Sequence, residues 1–271
     1  MKRFRLGFIG VGAMGNAILS GVIKSSIYKS DEIAIYDLDS KKLYEICSLY
    51  GVVKTEDQEE LVVNTDIIIL AVKPQQIANV LLTIPYLNPR DENRVFVSIA
   101  AGIPTKKIED YLGVTPVVRA MPNSPALIGE GMTVLSPGRY VSKTNMEKVE
   151  KLFSASGKTM VLEEYYMDAV TGVSGSGPAY VYQFIEAMAD AAVMLGISRK
   201  DAYKLVSQTV IGAGKMVQET GIHPGELKDR VTSPKGTTIR AIRVMEENGF
   251  RGIVMNAVEA SYLAAQKIGN D

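Results

Sequence analysis

The sequence predicts an α/β protein in which a doubly wound, mostly parallel sheet is followed by an all-helical domain. Over residues 1–162, short apolar runs alternate with helical stretches. A glycine-rich segment directly follows the first of these runs, where a strand would give way to a helix. From residue 163 the strand-like runs stop and apolar residues recur at helical spacing. We therefore expect two domains, residues 1–162 and 163–271.

The strands of the N-terminal domain are predicted from six apolar runs. Apart from Ser98, the first four are continuously apolar, as expected for parallel strands that helices cover on both faces. Right-handed crossovers between them give a doubly wound sheet, which the last two runs extend. The runs are residues 6–10, 33–36, 67–72, 95–100, 116–119 and 132–135.

The composition excludes several classes of protein. The 271 residues include 30 Lys and Arg and 30 Asp and Glu, so no net charge favours a nucleic acid or an anionic membrane as partner. The one cysteine, Cys47, and the one histidine, His223, cannot form a disulfide framework or a His/Cys metal cage, so we expect no metal site. The longest wholly apolar run, residues 67–72, is too short for a membrane span, and the N-terminus does not resemble a signal peptide. We expect a cytoplasmic protein.

The glycine-rich segment predicts a dinucleotide site of the Rossmann type. In its G-x-G-x-x-G pattern the first glycine permits a tight turn, the second lets the backbone approach a pyrophosphate and the third lets the helix pack on the strand. The free N–H groups of the helix N-terminus suit the phosphates. Glycines used only for packing are the alternative interpretation. The predicted cofactor-binding residues are Gly10, Val11, Gly12, Ala13, Met14 and Gly15.

Asp37 is predicted to bind the adenosine ribose of that cofactor. It lies 22 residues after Gly15, at the end of the second predicted strand, where a carboxylate can accept hydrogen bonds from ribose hydroxyls. The same carboxylate repels the extra phosphate of NADP unless Lys41 or Lys42 offsets it. The residues alone therefore favour NAD.

Further cofactor contacts are expected where other strands end, because open α/β sheets bind ligands at the carboxyl ends of their strands. Small residues there let a flat ring lie against the backbone. For Lys73 a solvated lysine in a turn is an equally good interpretation. The expected contacts are Ala71, Val72, Lys73, Pro74, Ala100, Ala101 and Asn123.

A second candidate site lies at the start of a helix near residue 237. Its N–H groups, at Gly236 and Thr237, and the hydroxyls of Ser233 and Thr238 suit a carboxylate ligand. Simple N-capping of a structural helix is the alternative. The sequence offers no evident pair of carboxylates for acid–base catalysis. This fits hydride transfer, because the cofactor then supplies the difficult chemistry.

Together, five segments resemble the Δ1-pyrroline-5-carboxylate reductase family. They occur in the family's order and with matching separations, they span nearly the whole chain, and the last two are the most specific. The segments are GFIGVGAMG (7–15), AVKPQ (71–75), RAMPNSPALIGEG (119–131), VSGSGPAYVY (173–182) and HPGELKDRVTSPKGTTIRAI (223–242).

The resemblance implies that L-1-pyrroline-5-carboxylate, a cyclic imine, is reduced to L-proline by hydride from NADPH or, alternatively, NADH. Thr238 would be the catalytic residue, hydrogen-bonding or protonating the imine nitrogen. Ser233 and the backbone of Gly236 and Thr237 would hold the substrate carboxylate. The helical domain would be a dimerisation domain that forms intertwined homodimers, often assembled into larger rings.

Two residues depart from the family pattern. Lys235 replaces a glycine of the family's SPGG segment, and lysine rarely adopts a positive φ. We expect either that this position does not need a positive φ or that the carboxylate loop is altered, and we hypothesise that the ammonium strengthens carboxylate binding. Asp37 stands where family members that prefer NADPH more often have hydroxyl or basic residues. Use of NADH as the cofactor therefore remains an alternative.

Three other functions fit parts of the sequence. A reductase of a related cyclic imine would share these motifs, because one ring methylene changes pocket binding by only about 1–3 kcal/mol. A β-hydroxyacid dehydrogenase would have Asn four residues after its helical lysine, but Glu219 follows Lys215 at that spacing. A nucleotide sensor without catalysis would have a damaged substrate motif, whereas Ser233, Gly236 and Thr238 are all present.

Overall fold

One mixed sheet organises the N-terminal part of the chain. The structure, a computed structural model, describes residues 4–84 and 94–270. Within them, eight strands pair in the order β3-β2-β1-β4-β5-β6-β7-β8. β1 to β6 are parallel, β7 is antiparallel to β6, and β8 is parallel to β7. The strands are β1 (Phe4–Ile9), β2 (Ile33–Tyr36), β3 (Val53–Lys54), β4 (Thr65–Leu70), β5 (Val95–Ser98), β6 (Val117–Met121), β7 (Gly131–Pro137) and β8 (Gly157–Val161).

This topology confirms the predicted doubly wound, mostly parallel sheet, because the chain crosses from β3 back over β1 to β4. All six predicted runs form strands, although β4 ends at Leu70 and β5 at Ser98, two residues before the corresponding runs end. β3 and β8 were not predicted. β3 has only two residues, and β8 has no buried side chain, so neither is a buried apolar run.

Apolar side chains fill both faces of the sheet. In β4, Ile67 and Ile69 join the core on one face, while Ile68 and Leu70 join the core on the other. Because successive strand residues point to opposite faces, a strand covered on both sides packs apolar side chains into both cores. The continuous apolar runs of the sequence follow from this arrangement.

Helices cover the sheet and, apart from turns, form all of the described chain after β8. A π-helical turn, Thr171–Gly175, joins α7 to α8. The α-helices of the described residues are α1 (Ala13–Ser25), α2 (Ser40–Tyr50), α3 (Gln58–Val63), α4 (Ile77–Leu82), α5 (Thr105–Leu112), α6 (Lys143–Phe153), α7 (Met167–Val170), α8 (Gly177–Met194), α9 (Arg199–Thr220), α10 (Pro224–Arg230), α11 (Thr237–Glu247) and α12 (Phe250–Asn270). The all-helical C-terminal part is therefore confirmed.

Residue contacts divide the chain into a unit of residues 1–176 with 260–271 and a unit of residues 177–259. The boundary expected at 162–163 marks the change from strands to helices, whereas the contacts assign α7 and the end of α12 to the sheet unit. In that unit, Gly102 lies so close to the end of α12 that a Cβ on it would be 3.0 Å from the carbonyl oxygen of Ala265. This close packing explains the assignment.

The second unit has a small core of its own. Ala189, Ala202 and Val206 are buried where α8 packs against α9. Many large apolar side chains of this unit are exposed, and an apolar surface of that kind marks an interaction site. They include Met194, Leu195, Leu205, Ile211, Ile253 and Met255. No helix in the described part of the chain is long and apolar enough to cross a membrane.

Candidate functional site

The glycine-rich turn lies at the carboxyl edge of the sheet, between β1 and β4. Gly10 follows β1 and has a φ of 89°, a value that L side chains rarely adopt. Its N–H donates to the carbonyl oxygen of Tyr36 at the end of β2, at 2.8 Å, and a Cβ on Gly10 would be 2.7 Å from the carbonyl oxygen of Ala71. The turn is thus fixed at the point where the strand order reverses, which is where doubly wound sheets bind ligands.

The start of α1 fits the phosphates of a dinucleotide. The first helical hydrogen bond runs from the N–H of Asn16 to the carbonyl oxygen of Gly12, and no side chain caps the helix. The N–H groups of Ala13, Met14 and Gly15 therefore face an anion-binding position. A Cβ built on Gly12 would meet no atom within 4 Å, so the space against its backbone is open to a ligand.

Asp37 is held in place by the glycine turn and by its own loop. Its Oδ2 accepts from the N–H of Val11 at 2.8 Å and from Lys42 Nζ at 3.4 Å, and its Oδ1 accepts from the N–H of Asp39 at 3.1 Å. Burial opposes ionisation of Asp37, but these hydrogen bonds and the Lys42 ammonium outweigh it and lower the pKa of the carboxyl. Asp37 is therefore a carboxylate at neutral pH.

A cleft of about 650 Å³ opens beside this turn. Six of the predicted cofactor residues line it: Gly10, Gly12, Asp37, Ala71, Val72 and Lys73. It is also lined by residues that the sequence did not identify as cofactor-binding. Some are neighbours of Asp37 or Lys73 in the sequence, and the others come from segments that the sheet topology brings to the cleft. These include Tyr36, Leu38, Lys42, Asp57, Gln58, Glu59, Gln76, Asn79 and Val80.

The other predicted cofactor residues lie outside the lining of this cleft. Pro74 lines a smaller cavity of about 300 Å³ beside α4 and α5. Ala100 is buried just after β5, with Ala101 half-buried beside it. Asn123 follows β6, and both ends of its amide make intramolecular hydrogen bonds, donating to the carbonyl oxygen of Ser174 and accepting from the N–H of Met132.

The second candidate site is a turn that leads into α11. The N–H of Gly236 donates to the carbonyl oxygen of Ser233 at 3.0 Å, and Lys235 has a φ of 61°. Proline at the second position and a positive φ at the third are the features of a type II β-turn. The expectation that position 235 does not need a positive φ is therefore wrong, because Lys235 adopts the conformation for which glycine is suited.

This turn determines which groups at the start of α11 are available. The Gly236 N–H, one of the two predicted backbone donors, is used within the turn, whereas the described residues offer no partner to the N–H of Thr237. The hydroxyl of the half-buried Thr238 likewise has no hydrogen-bond partner in the described structure. A Cβ on Gly236 would meet Ser233 Oγ and would be 3.0 Å from the Ser233 carbonyl oxygen, so a larger residue there would require the serine hydroxyl to move. Hydrogen-bonding groups at the head of the helix are thus left for a ligand.

The doubly wound sheet, the glycine turn and the cleft define a dinucleotide-binding oxidoreductase fold. The family model described as "NADP oxidoreductase coenzyme F420-dependent" matches residues 5–102. The model described as "Pyrroline-5-carboxylate reductase dimerisation" matches residues 164–268.

Relatives match over the full length of the chain. A pyrroline-5-carboxylate reductase of Methanosarcina acetivorans is 43% identical over 99% of both chains, and that of Escherichia coli is 43% identical over 97% of this chain and 98% of its own. The crystal structure of Plasmodium falciparum pyrroline carboxylate reductase with NADP bound has a TM-score of 0.88 and 34% identity, covering 99% of both chains. The chain belongs to the pyrroline-5-carboxylate reductase family, whose members catalyse the last step of proline biosynthesis.

Family membership confirms the resemblance and the predicted class of enzyme, an NAD(P)-dependent oxidoreductase. It also decides against a β-hydroxyacid dehydrogenase. The predicted cofactor, NADP, is confirmed by the matching oxidoreductase family, whereas the preference between NADPH and NADH stays a prediction. Lys42 lies against the Asp37 carboxylate and partly offsets its charge.

Proposed function

We propose that this protein reduces L-1-pyrroline-5-carboxylate to L-proline with NADPH. The observation that supports this most strongly is the 43% identity to a pyrroline-5-carboxylate reductase over 99% of both chains. The start of α11 agrees with it, because the free hydroxyl of Thr238 and the free N–H of Thr237 suit a small imine with a carboxylate. NADPH supplies the hydride that reduces the imine carbon.

The cofactor is proposed to bind along the carboxyl edge of the sheet. The N–H groups at the start of α1 bind the pyrophosphate, and Asp37 and Lys42 face the adenosine ribose. Small side chains at Ala71, Val72, Ala100 and Ala101 leave room for a flat ring. Lys73, Pro74 and Asn123 lie at the same edge, where Asn123 shapes the loop through its two hydrogen bonds.

The substrate is proposed to bind at the head of α11. The carboxylate accepts hydrogen bonds from the Thr237 N–H and the Ser233 hydroxyl, with the Gly236 N–H as a donor shared with the turn. Thr238 donates its hydroxyl proton in a hydrogen bond to the imine nitrogen, which places the imine carbon for hydride attack and assists protonation of that nitrogen. The proton that the nitrogen gains comes ultimately from solvent.

The protein is proposed to act in the cytoplasm as a homodimer or larger homo-oligomer. The exposed apolar residues of the second unit support self-association, since they lie within the segment that matches the dimerisation model. The free thiol of Cys47 agrees with a reducing compartment.

The proposed reaction is tested by following the oxidation of NADPH and of NADH in parallel, with pyrroline-5-carboxylate as substrate and proline identified as product. We expect proline with both cofactors and the higher kcat/KM with NADPH. A six-membered cyclic imine carboxylate serves as the second substrate and tests the related-imine alternative. Absence of oxidation with pyrroline-5-carboxylate would refute the substrate assignment, and a higher kcat/KM for the larger ring would favour the alternative.

Replacing Lys235 tests its role beside the substrate carboxylate. We expect Lys235→Gly to raise the KM for pyrroline-5-carboxylate up to about fivefold, the effect of losing an exposed ion pair. The same variant should unfold at a slightly higher temperature, because glycine adopts the φ of 61° without strain. Lys235→Asn is the control, since asparagine also tolerates this φ but lacks the charge. Unchanged or lower KM values in both variants would exclude the strengthening effect of the ammonium.

A further inference from the structure

The loop after β2 and the first turn of α2 place a carboxylate and an ammonium together at the cleft. Lys42 Nζ lies 3.4 Å from Asp37 Oδ2, and the two side chains are 34% and 18% exposed. Both residues line the cleft. The pair is thus held at the wall of the site and still reaches its open space.

Asp37 serves chiefly to fix the glycine turn. Its two oxygens already accept hydrogen bonds from the backbone N–H groups of Val11 and Asp39 and from Lys42. A carboxylate has about four acceptor positions in all, so little capacity remains for a ribose hydroxyl. Asp37 is therefore a weak basis for selecting NADH.

Lys42 is the cation that makes this part of the cleft suitable for a phosphate. Among the described residues, Asp37, Asp57 and Glu59 line the cleft with carboxylates, and only Lys42 and Lys73 line it with ammonium groups. Lys42 alone of these two is paired with Asp37 in the described structure. Its ammonium has three donors, so it can bind a phosphate oxygen while it remains beside Asp37.

We infer that Lys42 is the residue that selects NADPH over NADH, by binding the phosphate on the adenosine ribose while it offsets the charge of Asp37. The inference rests on the proposed use of NADPH and adds a specificity-determining residue to it. Lys41 is the matched comparison, because this neighbour has the same charge but is exposed and does not line the cleft.

Calorimetric titration of the parent protein, Lys42→Ala and Lys41→Ala with NADPH and with NADH tests this inference without turnover. We expect Lys42→Ala to raise the Kd for NADPH about tenfold or more, the effect of losing a hydrogen bond to a charged group, and the Kd for NADH by less than about twofold. Lys41→Ala should change both values by less than about twofold, a loss of long-range attraction only. Lys42→Arg should retain most of the preference for NADPH.

Two results would contradict the proposals, and they are distinguishable. The role of Lys42 would be overturned if Lys42→Ala raised the Kd for NADPH and the Kd for NADH by the same factor. It would also be overturned if Lys41→Ala raised the Kd for NADPH as much as Lys42→Ala does. Either result would leave the proposed reaction intact. Failure of the parent protein to bind either dinucleotide would overturn the proposed function itself.

Discussion

Thr238→Ala is expected to lower kcat by about ten- to a thousandfold, the range for loss of a positioned hydrogen-bond or proton-transfer group. The loss is limited because the imine nitrogen can also be protonated from solvent. The Thr238 hydroxyl has no intramolecular partner in the described structure, so its removal leaves the helix hydrogen bonds intact. The measurement is kcat and KM at saturating NADPH for the parent and variant enzymes.

Two further variants separate chemistry from structure in this experiment. Thr238→Ser keeps the hydroxyl and should recover most of the lost kcat. Thr232→Ala removes a nearby hydroxyl that donates to the carbonyl oxygen of Lys228 at 2.6 Å, and it should leave kcat within about twofold of the parent value. An unchanged kcat in Thr238→Ala, or equal losses in Thr238→Ala and Thr232→Ala, would remove Thr238 from the chemistry.

Arg119→Ala is expected to lower the free energy of unfolding by about 3 kcal/mol, the lower end of the range for breaking a buried ion pair, because its partners are partly exposed. The Arg119 side chain is 6% exposed and donates to Asp168 at 2.7 Å. Glu164 lies 3.8 Å from the same guanidinium and accepts from the N–H of Thr105. Without Arg119, two neighbouring carboxylates lose their shared cation and the links between β6, α5 and α7 weaken.

Denaturant unfolding of Arg119→Ala, followed by circular dichroism, measures this effect. Lys106→Ala is the matched control in α5, because Lys106 pairs with Asp110 but both side chains are largely exposed. We expect the unfolding midpoint of Lys106→Ala to stay close to that of the parent protein. Equal shifts in the two midpoints would show that the Arg119 cluster contributes no more than a surface pair.

The dinucleotide site was largely predictable because its main signals are local in the sequence. Gly10 and Gly12 stand next to an apolar run, and Asp37 ends the next one, so spacing alone identified them. Lys42 could be named only as one of two lysines, because the direction of a side chain on α2 depends on packing. Asp57 and Asn79 were missed since topology, not sequence distance, brings them to the cleft.

The substrate turn shows where sequence reasoning failed. Lysine at position 235 left two alternatives, a backbone without positive φ or an altered loop. The first is wrong, because Lys235 has a positive φ in the turn that Pro234 and the Ser233–Gly236 hydrogen bond form. The surrounding structure thus overrides the preference of a single residue. The assignment of the end of α12 to the sheet unit was equally inaccessible, because it depends on close packing against Gly102 rather than on a local pattern.

The most direct test of the central claim, hydride transfer to pyrroline-5-carboxylate, uses NADPH that carries deuterium at the transferable position. Proline is isolated from the reaction and analysed by mass spectrometry and NMR. We expect one deuterium in proline, on the ring carbon next to nitrogen that was the imine carbon. The reaction is run separately with NADPH deuterated in each of the two C4 configurations. Proline that carries no deuterium in both reactions, or no proline at all, would contradict hydride transfer to pyrroline-5-carboxylate.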